Sequence, residues 1–378
     1  MQQAIDQLAA TIRGAARQKR PLCVRGGGTK DFYGGAPQGD RLDTTAYRGI
    51  VAYEPTELVI TARAGTPLAE VEAALREKGQ MLAFEPPYFG DLPSPLTPLP
   101  PGAGEGDFVP AAPEKRMATL GGCVAAGLSG PRRAYSGAVR DFVLGVRMLD
   151  GKGDDLRFGG QVMKNVAGYD VSRLMAGSLG TLGMLLEISL KVLPLPPSEM
   201  TLRLNCDETR AIVLMNEWAG KPLPITATAF RNEDLCVRLS GASVAVEAAI
   251  KKLGGTEVNP DQAERFWTGI REQSVPFFAG DAPLWRLSVK STTQPLALPG
   301  KQMIEWGGAL RWLKSDAEAT TVRGAAMRSG GHATLFRSKD KSAGAFHPLS
   351  PALMKLHRNL KQAFDPAGIF NPGRMYDF

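Results

Sequence analysis

Ile5, Leu8, Ala9, Ile12 and Ala16 recur at steps of three and four, which keeps one face of a helix apolar and predicts an amphipathic helix over residues 2–19. The apolar run Leu22–Val24 then reads as a short buried strand that ends in Arg25-Gly26-Gly27-Gly28-Thr29-Lys30. Three consecutive glycines do not serve a strand; they permit positive φ angles and leave backbone N–H groups uncovered, as in a binding loop or a tight turn. Leu58–Ala62 predicts a second strand. Thr66-Pro67 opens a helix to Lys78, with Thr66 as N-cap, Pro67 at the first position and Gly79 just past the end. Val143–Leu149 and Asp155–Phe158 flank Asp150-Gly151 as a hairpin, and Gly177-Ser178-Leu179-Gly180-Thr181-Leu182-Gly183 leads into a further strand, Leu185–Leu193.

Two stretches break this alternation. Residues 85–113 contain nine prolines, which neither helix nor central strand accommodates, so a surface excursion is expected there. The run Thr119–Gly130 is dominated by small residues that let another body approach the backbone. After Pro194–Pro197 the pattern changes to strand Thr201–Leu204, a helix capped by Asp207, strands Ile225–Phe230 and Leu235–Leu239, and helix Ser243–Leu253. That β-α-β-β-α order marks a separate, smaller domain. It continues through two strand-like segments, Trp285–Lys290 and Gln302–Trp312, and a last helix begins at Ser350-Pro351.

At 378 residues the chain is long enough for two cores, and its 43% apolar and 22% charged content is that of an ordinary globular protein. Gly 43 and Pro 28 make up about a fifth of the sequence, so loops are expected to carry its chemistry. The charge of +7 is dispersed, without the basic and aromatic interleaving of a nucleic-acid path; it suits an anionic substrate, an anionic cofactor or simply a solvated basic face. Cys23, Cys123, Cys206 and Cys236 are far apart and form no C-x-x-C pair, and His332, His347 and His357 have no metal-helix spacing, so neither an iron–sulfur cluster nor a metal is expected. Without an apolar run of membrane length, and with Asp6 and Arg13 interrupting the N-terminal stretch, the expected location is the cytoplasm, or the inner face of the membrane through partners.

Neither G-x-G-x-x-G nor a P-loop occurs, yet several glycine turns are spread over 150 residues, which suits an extended cofactor with a central pyrophosphate. The ordered set Arg25–Thr29, Ala64-Gly65-Thr66, Leu120-Gly121-Gly122, Tyr135-Ser136-Gly137 with Asp141, Gly177–Gly183 and Asn371-Pro372-Gly373 resembles the FAD-linked oxidases of the vanillyl-alcohol oxidase type. Within that family, V-R-G-G-G-T-K-D-F-Y-G-G (24–35), A-G-L-S-G-P-R-R (126–133), L-W-R-L-S-V (284–289) and I-E-W-G-G-A-L-R-W (304–312) are similar to the small FAD-binding subunits of bacterial glycolate oxidases.

The resemblance implies an α+β fold: a two-subdomain, PCMH-type FAD-binding domain over 1–197, an α+β cap over 198–330, and a segment 331–378 returning to the FAD domain. It implies that Gly26, Gly27, Gly28 and Thr29, between Arg25 and Lys30, present N–H groups to the pyrophosphate. Thr119, Leu120, Gly121 and Gly122, with Ala126, Gly127, Ser129 and Gly130, would line the flavin and its ribityl chain. Gly177, Ser178, Gly180, Thr181, Gly183 and Ile188 would approach the adenosine or the isoalloxazine edge, unless that loop is only a strand connection packed on a helix; Gly137 and Asn371 complete the set.

No His precedes residue 332, so the FAD is expected to be non-covalent, and the His/Glu cluster of the larger catalytic relatives is missing. For a small 2-hydroxy acid, Arg286 and Arg311 are the candidate carboxylate clamps, each also readable as a structural ion pair, and Tyr135 or His332 the candidate base; the sequence does not choose between the two. Implied partners are a larger FAD-binding catalytic subunit and an iron–sulfur subunit that passes electrons toward a quinone. A non-catalytic flavin scaffold and a stand-alone alcohol or sugar oxidase are the alternatives.

Overall fold

The computed structural model describes residues 2–90, 117–160 and 169–377. Of the Pro-rich excursion expected over 85–113, residues 91–113 lie outside the described residues. The helix Gln2–Gln18 buries Ile5, Ala9, Ile12 and Ala15, the face its period predicts, against Leu22, Leu42, Leu149, Ile369 and Phe370. The strand Leu22–Arg25 pairs in parallel with Asp40–Asp43 and feeds the glycine loop.

A five-stranded sheet in the order Ile50–Glu54, Val59–Arg63, Met184–Lys191, Val143–Leu149, Asp155–Gly159 supports the next layer. Its central strand Met184–Lys191 is buried almost throughout and packs under the helices Leu68–Glu77 and Leu120–Ala126. Two local expectations change. The helix expected to be capped by Thr66 starts at Leu68, because the Thr66 hydroxyl instead accepts the Gly49 N–H at 2.9 Å across the loop. The Asp150-Gly151 connection is a five-residue loop rather than a tight turn, closed by the Asp150 carboxylate on the N–H groups of Lys152 and Asp154, each at 2.9 Å.

The second half forms an eight-stranded sheet in the order Thr256–Val258, Ser198–Asn205, Asp234–Gly241, Ile225–Arg231, Lys301–Glu305, Leu310–Lys314, Leu284–Ser288, His332–Arg337. The β-α-β-β-α unit is present, with Asp207 capping Glu208–Ala219 by accepting Arg210 N–H at 2.7 Å. Three features depart from expectation. Gln302–Trp312 is two strands, broken at Trp306–Gly308 where Trp306, Gly307 and Gly308 all take positive φ. Asn259-Pro260 opens an additional helix, Pro260–Glu272. The return to the first half comes after Arg337 rather than at 331, since His332–Arg337 is the edge strand of this sheet.

The halves meet through an aromatic core and an ionic seam. Phe32 and Tyr33 pack on Phe336 at 5.5 and 5.2 Å, and Phe336 packs on Trp312 at 5.0 Å. Glu85 receives Arg132 from its own half at 3.3 Å and Arg238 from the other at 2.6 Å, while Glu272 accepts the N–H groups of Tyr88 and Phe89 at 3.0 and 2.9 Å. The Arg132 and Arg238 charges and the Arg132 N–H hold Glu85 below the usual carboxylate range although burial opposes them.

Candidate functional site

At the end of Leu22–Arg25 the chain turns through the glycine loop, and the N–H groups of Gly26, Gly27, Gly28, Thr29 and Lys30 meet no acceptor among the described residues. They edge a narrow cleft of about 80 Å3 whose wall includes Arg25, Asp31, Thr119, Gly122, Ala126, Leu179, Asn371 and Arg374. A second cleft of about 60 Å3 shares Val24, Gly26, Gly122, Ala125 and Leu179 with it and reaches Gly121, Gly180 and Gly183. A side chain at Gly26 or Gly27 would overlap the Thr119 hydroxyl or the Met117 carbonyl, so these glycines let the loops close on one another. Uncovered N–H donors in a glycine-walled cleft are a donor set for an extended anion such as a pyrophosphate.

Asn371 holds the loops in register: its Oδ1 accepts Val24 N–H at 2.7 Å and its Nδ2 donates to Leu179 O at 2.6 Å. Its amide is thus consumed in positioning the loops. Thr119 caps Leu120–Ala126 by accepting Gly122 N–H at 3.2 Å, and Thr181 donates its hydroxyl to Ser178 O at 2.7 Å. Gly127 and Gly177 form a close backbone crossing behind the cleft. Three predicted residues lie elsewhere. Leu120 and Ile188 point into the core of the first half, and Gly137 ends the short helix Arg133–Ser136 beside Asp141. Lys30 is buried, its Nζ 3.2 Å from Thr29 Oγ1 and 3.3 Å from Tyr88 O, and burial pulls its pKa down.

A separate small cavity, about 30 Å3, lies between the halves, with Ser129, Gly130 and Phe89 on one side and Arg286, Glu305, Trp306, Trp312 and Phe336 on the other. The Arg286 guanidinium lies 5.0 Å from the Trp306 ring and has no ion-pair or hydrogen-bond partner among the described residues. Arg133 lies 4.5 Å from the same ring, equally unpaired, and burial and the nearby Arg286 charge both lower its pKa. Two unneutralised guanidiniums on one indole form a locus for an anion.

Arg311, the other candidate clamp, is turned away. Arg286 stands opposite Trp312 and Leu287 opposite Arg311 in the antiparallel register, so residues 286 and 311 occupy opposite faces. Arg311 is 1% exposed, donates to Gly308 O at 2.9 Å and Thr293 O at 2.7 Å, and sits 3.5 Å from Glu208. It is a structural arginine. Of the two candidate bases, Tyr135 lies against Gly307 and burial raises its pKa, while His332 stands at the sheet edge, 6.5 Å from His347, with its pKa lowered by burial and by Arg286. Neither lines the Arg286 cavity.

The residue the sequence reading missed is Glu305. It is 3% exposed, lines the cavity with Arg286, and accepts Trp312 Nε1–H at 2.6 Å. Burial pushes its carboxyl up to about 8, although the Trp312 hydrogen bond and the Arg286 charge oppose the rise. An acid inside the otherwise apolar M-I-E-W was the available signal.

A larger cavity, about 430 Å3, lies between the helices Leu68–Glu77 and Pro260–Glu272, but its Arg132, Arg238 and Arg271 are each paired with a carboxylate. Among the described residues no three His, Cys, Asp or Glu side chains gather as metal ligands, and no helix is long and apolar enough to cross a membrane.

Comparison with known proteins places this geometry. The model of the FAD binding domain matches residues 3–91, and that of the C-terminal domain of FAD linked oxidases matches residues 339–375. The chain is 48% identical to glycolate oxidase subunit GlcE of Escherichia coli over 369 residues, 98% of this chain and 96% of that one. It is 29% identical to glycolate oxidase subunit GlcD of Bacillus subtilis over 199 residues, 52% of this chain and 37% of that protein. Among solved structures, p-cresol methylhydroxylase with substrate bound superposes with a TM-score of 0.66 at 14% identity, covering 98% of this chain and 87% of that one, which shows a shared fold.

Proposed function

The chain belongs to the FAD-linked oxidases, in the group of the glycolate oxidase subunit GlcE, and from that premise we propose that it binds FAD non-covalently in the glycine clefts and presents Arg286 to the carboxylate of glycolate. FAD is the cofactor of this family, and the chain is an oxidoreductase subunit. The observation that carries the reading is a pair of unlike sites lined from one segment, with Ala126 in the glycine cleft and Gly130 in the cavity beside Arg286. Uncovered N–H donors of Gly26–Lys30 suit a pyrophosphate, and beyond Ala126 and Gly130 an unpaired Arg286 suits a carboxylate.

In this reading Thr119, Gly121, Gly122 and Ala126 line the flavin side, Gly180 and Gly183 the other end, and Gly127, Ser129, Gly130, Gly177, Ser178 and Thr181 shape the loops. Bound FAD supplies a two-electron acceptor for the hydride on the substrate Cα. The chain's own contribution is to orient the carboxylate on a planar guanidinium and to hold it away from water under Phe89, Trp312 and Phe336. The flavin-binding part is residues 1–197 with the segment after Arg337, and the cap is the sheet between. No histidine lines the clefts among the described residues, which favours a dissociable flavin. Electrons leave through a larger flavin subunit and an iron–sulfur subunit toward a quinone.

An anaerobic flavin spectrum with glycolate, taken with and without co-expressed partner subunits, tests this. Bleaching of this chain's flavin in the complex is expected. Unbleached flavin in the complete complex would make the chain a scaffold, and turnover with O₂ by the chain alone would make it a stand-alone oxidase.

A further inference from the structure

We infer that Glu305 takes the hydroxyl proton of the 2-hydroxy acid whose carboxylate Arg286 holds, an inference that rests on the substrate reading above. Glu305 and Arg286 line one cavity from neighbouring parts of one sheet, Glu305 at the end of Lys301–Glu305 and Arg286 in Leu284–Ser288. Glu305 has no ion-pair partner among the described residues, and its recorded hydrogen bond is the one from Trp312. A buried carboxyl with one neutral donor is a costly way to satisfy an indole N–H, which a glutamine would satisfy without a charge. The acid therefore has a use that the packing alone does not supply.

The chemistry supplies that use. Oxidation of a 2-hydroxy acid breaks its O–H and Cα–H bonds and forms a C=O bond; the hydride pair goes to the oxidised flavin as two-electron acceptor, and the proton goes to a base. The Glu305 carboxylate accepts that proton and becomes the neutral acid, so charge and atoms balance without a further reagent. The groups that bear on its proton affinity are Trp312 by its N–H from the adjacent strand, Arg286 from the strand beyond that one, and Glu85 from the other half, the last already neutralised by Arg132 and Arg238; Arg271, which lines the same cavity, is paired with Glu272.

The test uses the assembled, flavin-loaded protein and the Glu305→Gln variant, which keeps an acceptor for Trp312. Infrared difference spectra across pH 6 to 10 are expected to show a protonated carboxyl band that disappears at alkaline pH and is absent from E305Q. Anaerobic flavin reduction by glycolate is expected to rise with pH, level off above about 8, and fall by roughly 10²- to 10⁴-fold in E305Q, at unchanged flavin content. Trp312→Phe removes a hydrogen bond that favours the carboxylate, and is expected to move the pH profile alkaline by on the order of one unit. No titrating band attributable to Glu305, or an E305Q that matches wild type in rate and pH profile, overturns this inference alone. Wild-type flavin that glycolate does not reduce overturns the substrate reading and this inference with it.

Discussion

Glu305→Gln makes a stability prediction that does not depend on substrate. Folding holds the Glu305 carboxyl protonated up to about 8, against an ordinary value of 4.5. The folded chain therefore binds more protons than the unfolded chain between those values, and its stability falls as pH rises through that window. At about 1.4 kcal/mol for each tenfold change in proton affinity, the full linkage is at most about 5 kcal/mol; relaxation around the site brings the expected figure to about 2–4 kcal/mol. A glutamine does not titrate, so the advantage of E305Q over wild type is expected to be smallest below pH 4.5 and to grow until it levels above about 8. Urea unfolding at half-unit steps from pH 5 to 9, read on the tryptophan signal, measures it, Trp306 and Trp312 being buried in the same core. A difference between the two proteins that stays constant over that range would refute the reasoning.

Three further outcomes are expected. Lys361 is buried with its Nζ 2.7 Å from Asp365 and 2.8 Å from the carbonyls of Thr181 and Phe370, so Lys361→Met should cost about 3–5 kcal/mol in urea unfolding by stranding Asp365. Arg286→Met should weaken glycolate-dependent flavin reduction by the equivalent of roughly 2–5 kcal/mol with bound flavin unchanged, whereas Arg311→Met should lower the urea midpoint and leave glycolate dependence intact; the reverse pattern would exchange their roles. Acid precipitation should release intact FAD into the supernatant, and flavin retained in the pellet would contradict a dissociable cofactor.

Much of this was legible in the sequence because it depended on local rules. The period of Ile5, Ala9 and Ile12, the caps at Asp207 and Ser350, and the glycine loop after Leu22 each follow from neighbours a few residues away. What was not legible required knowing the partner. Thr66 is a good N-cap by type, but a loop-closing bond to Gly49 claims its hydroxyl. Arg286 and Arg311 look equivalent until strand register assigns them to opposite faces, and the positive-φ break at Trp306–Gly308 hides that register from simple alternation. The helix Pro260–Glu272 was not expected, and its Glu272 anchors Tyr88 and Phe89, a contact no spacing rule foretells.

On the proposed site assignment, the seam between the halves bears on the chemistry as well as on the packing. The glycine clefts belong to the first half and Arg286 with Glu305 to the second, so the distance between cofactor end and acid end is set only by the contacts that join them. Those contacts include the Glu85 cluster with Arg132 and Arg238, the Glu272 carboxylate on two backbone N–H groups, the Trp306 Nε1–H donated to Gly130 O at 3.1 Å, and the edge-to-face rings of Phe32, Phe336 and Trp312. Glu272 and the rings border the small cavity closely, since Phe89, Arg271, Trp312 and Phe336 all line it. A misplacement of about 1 Å in such a junction can cost on the order of a hundredfold in rate. Loss of Glu85 would leave Arg132 and Arg238 with only the more exposed Glu199 as a shared carboxylate, and the resulting misalignment would appear as slower substrate-dependent reduction even where the flavin is still fully bound.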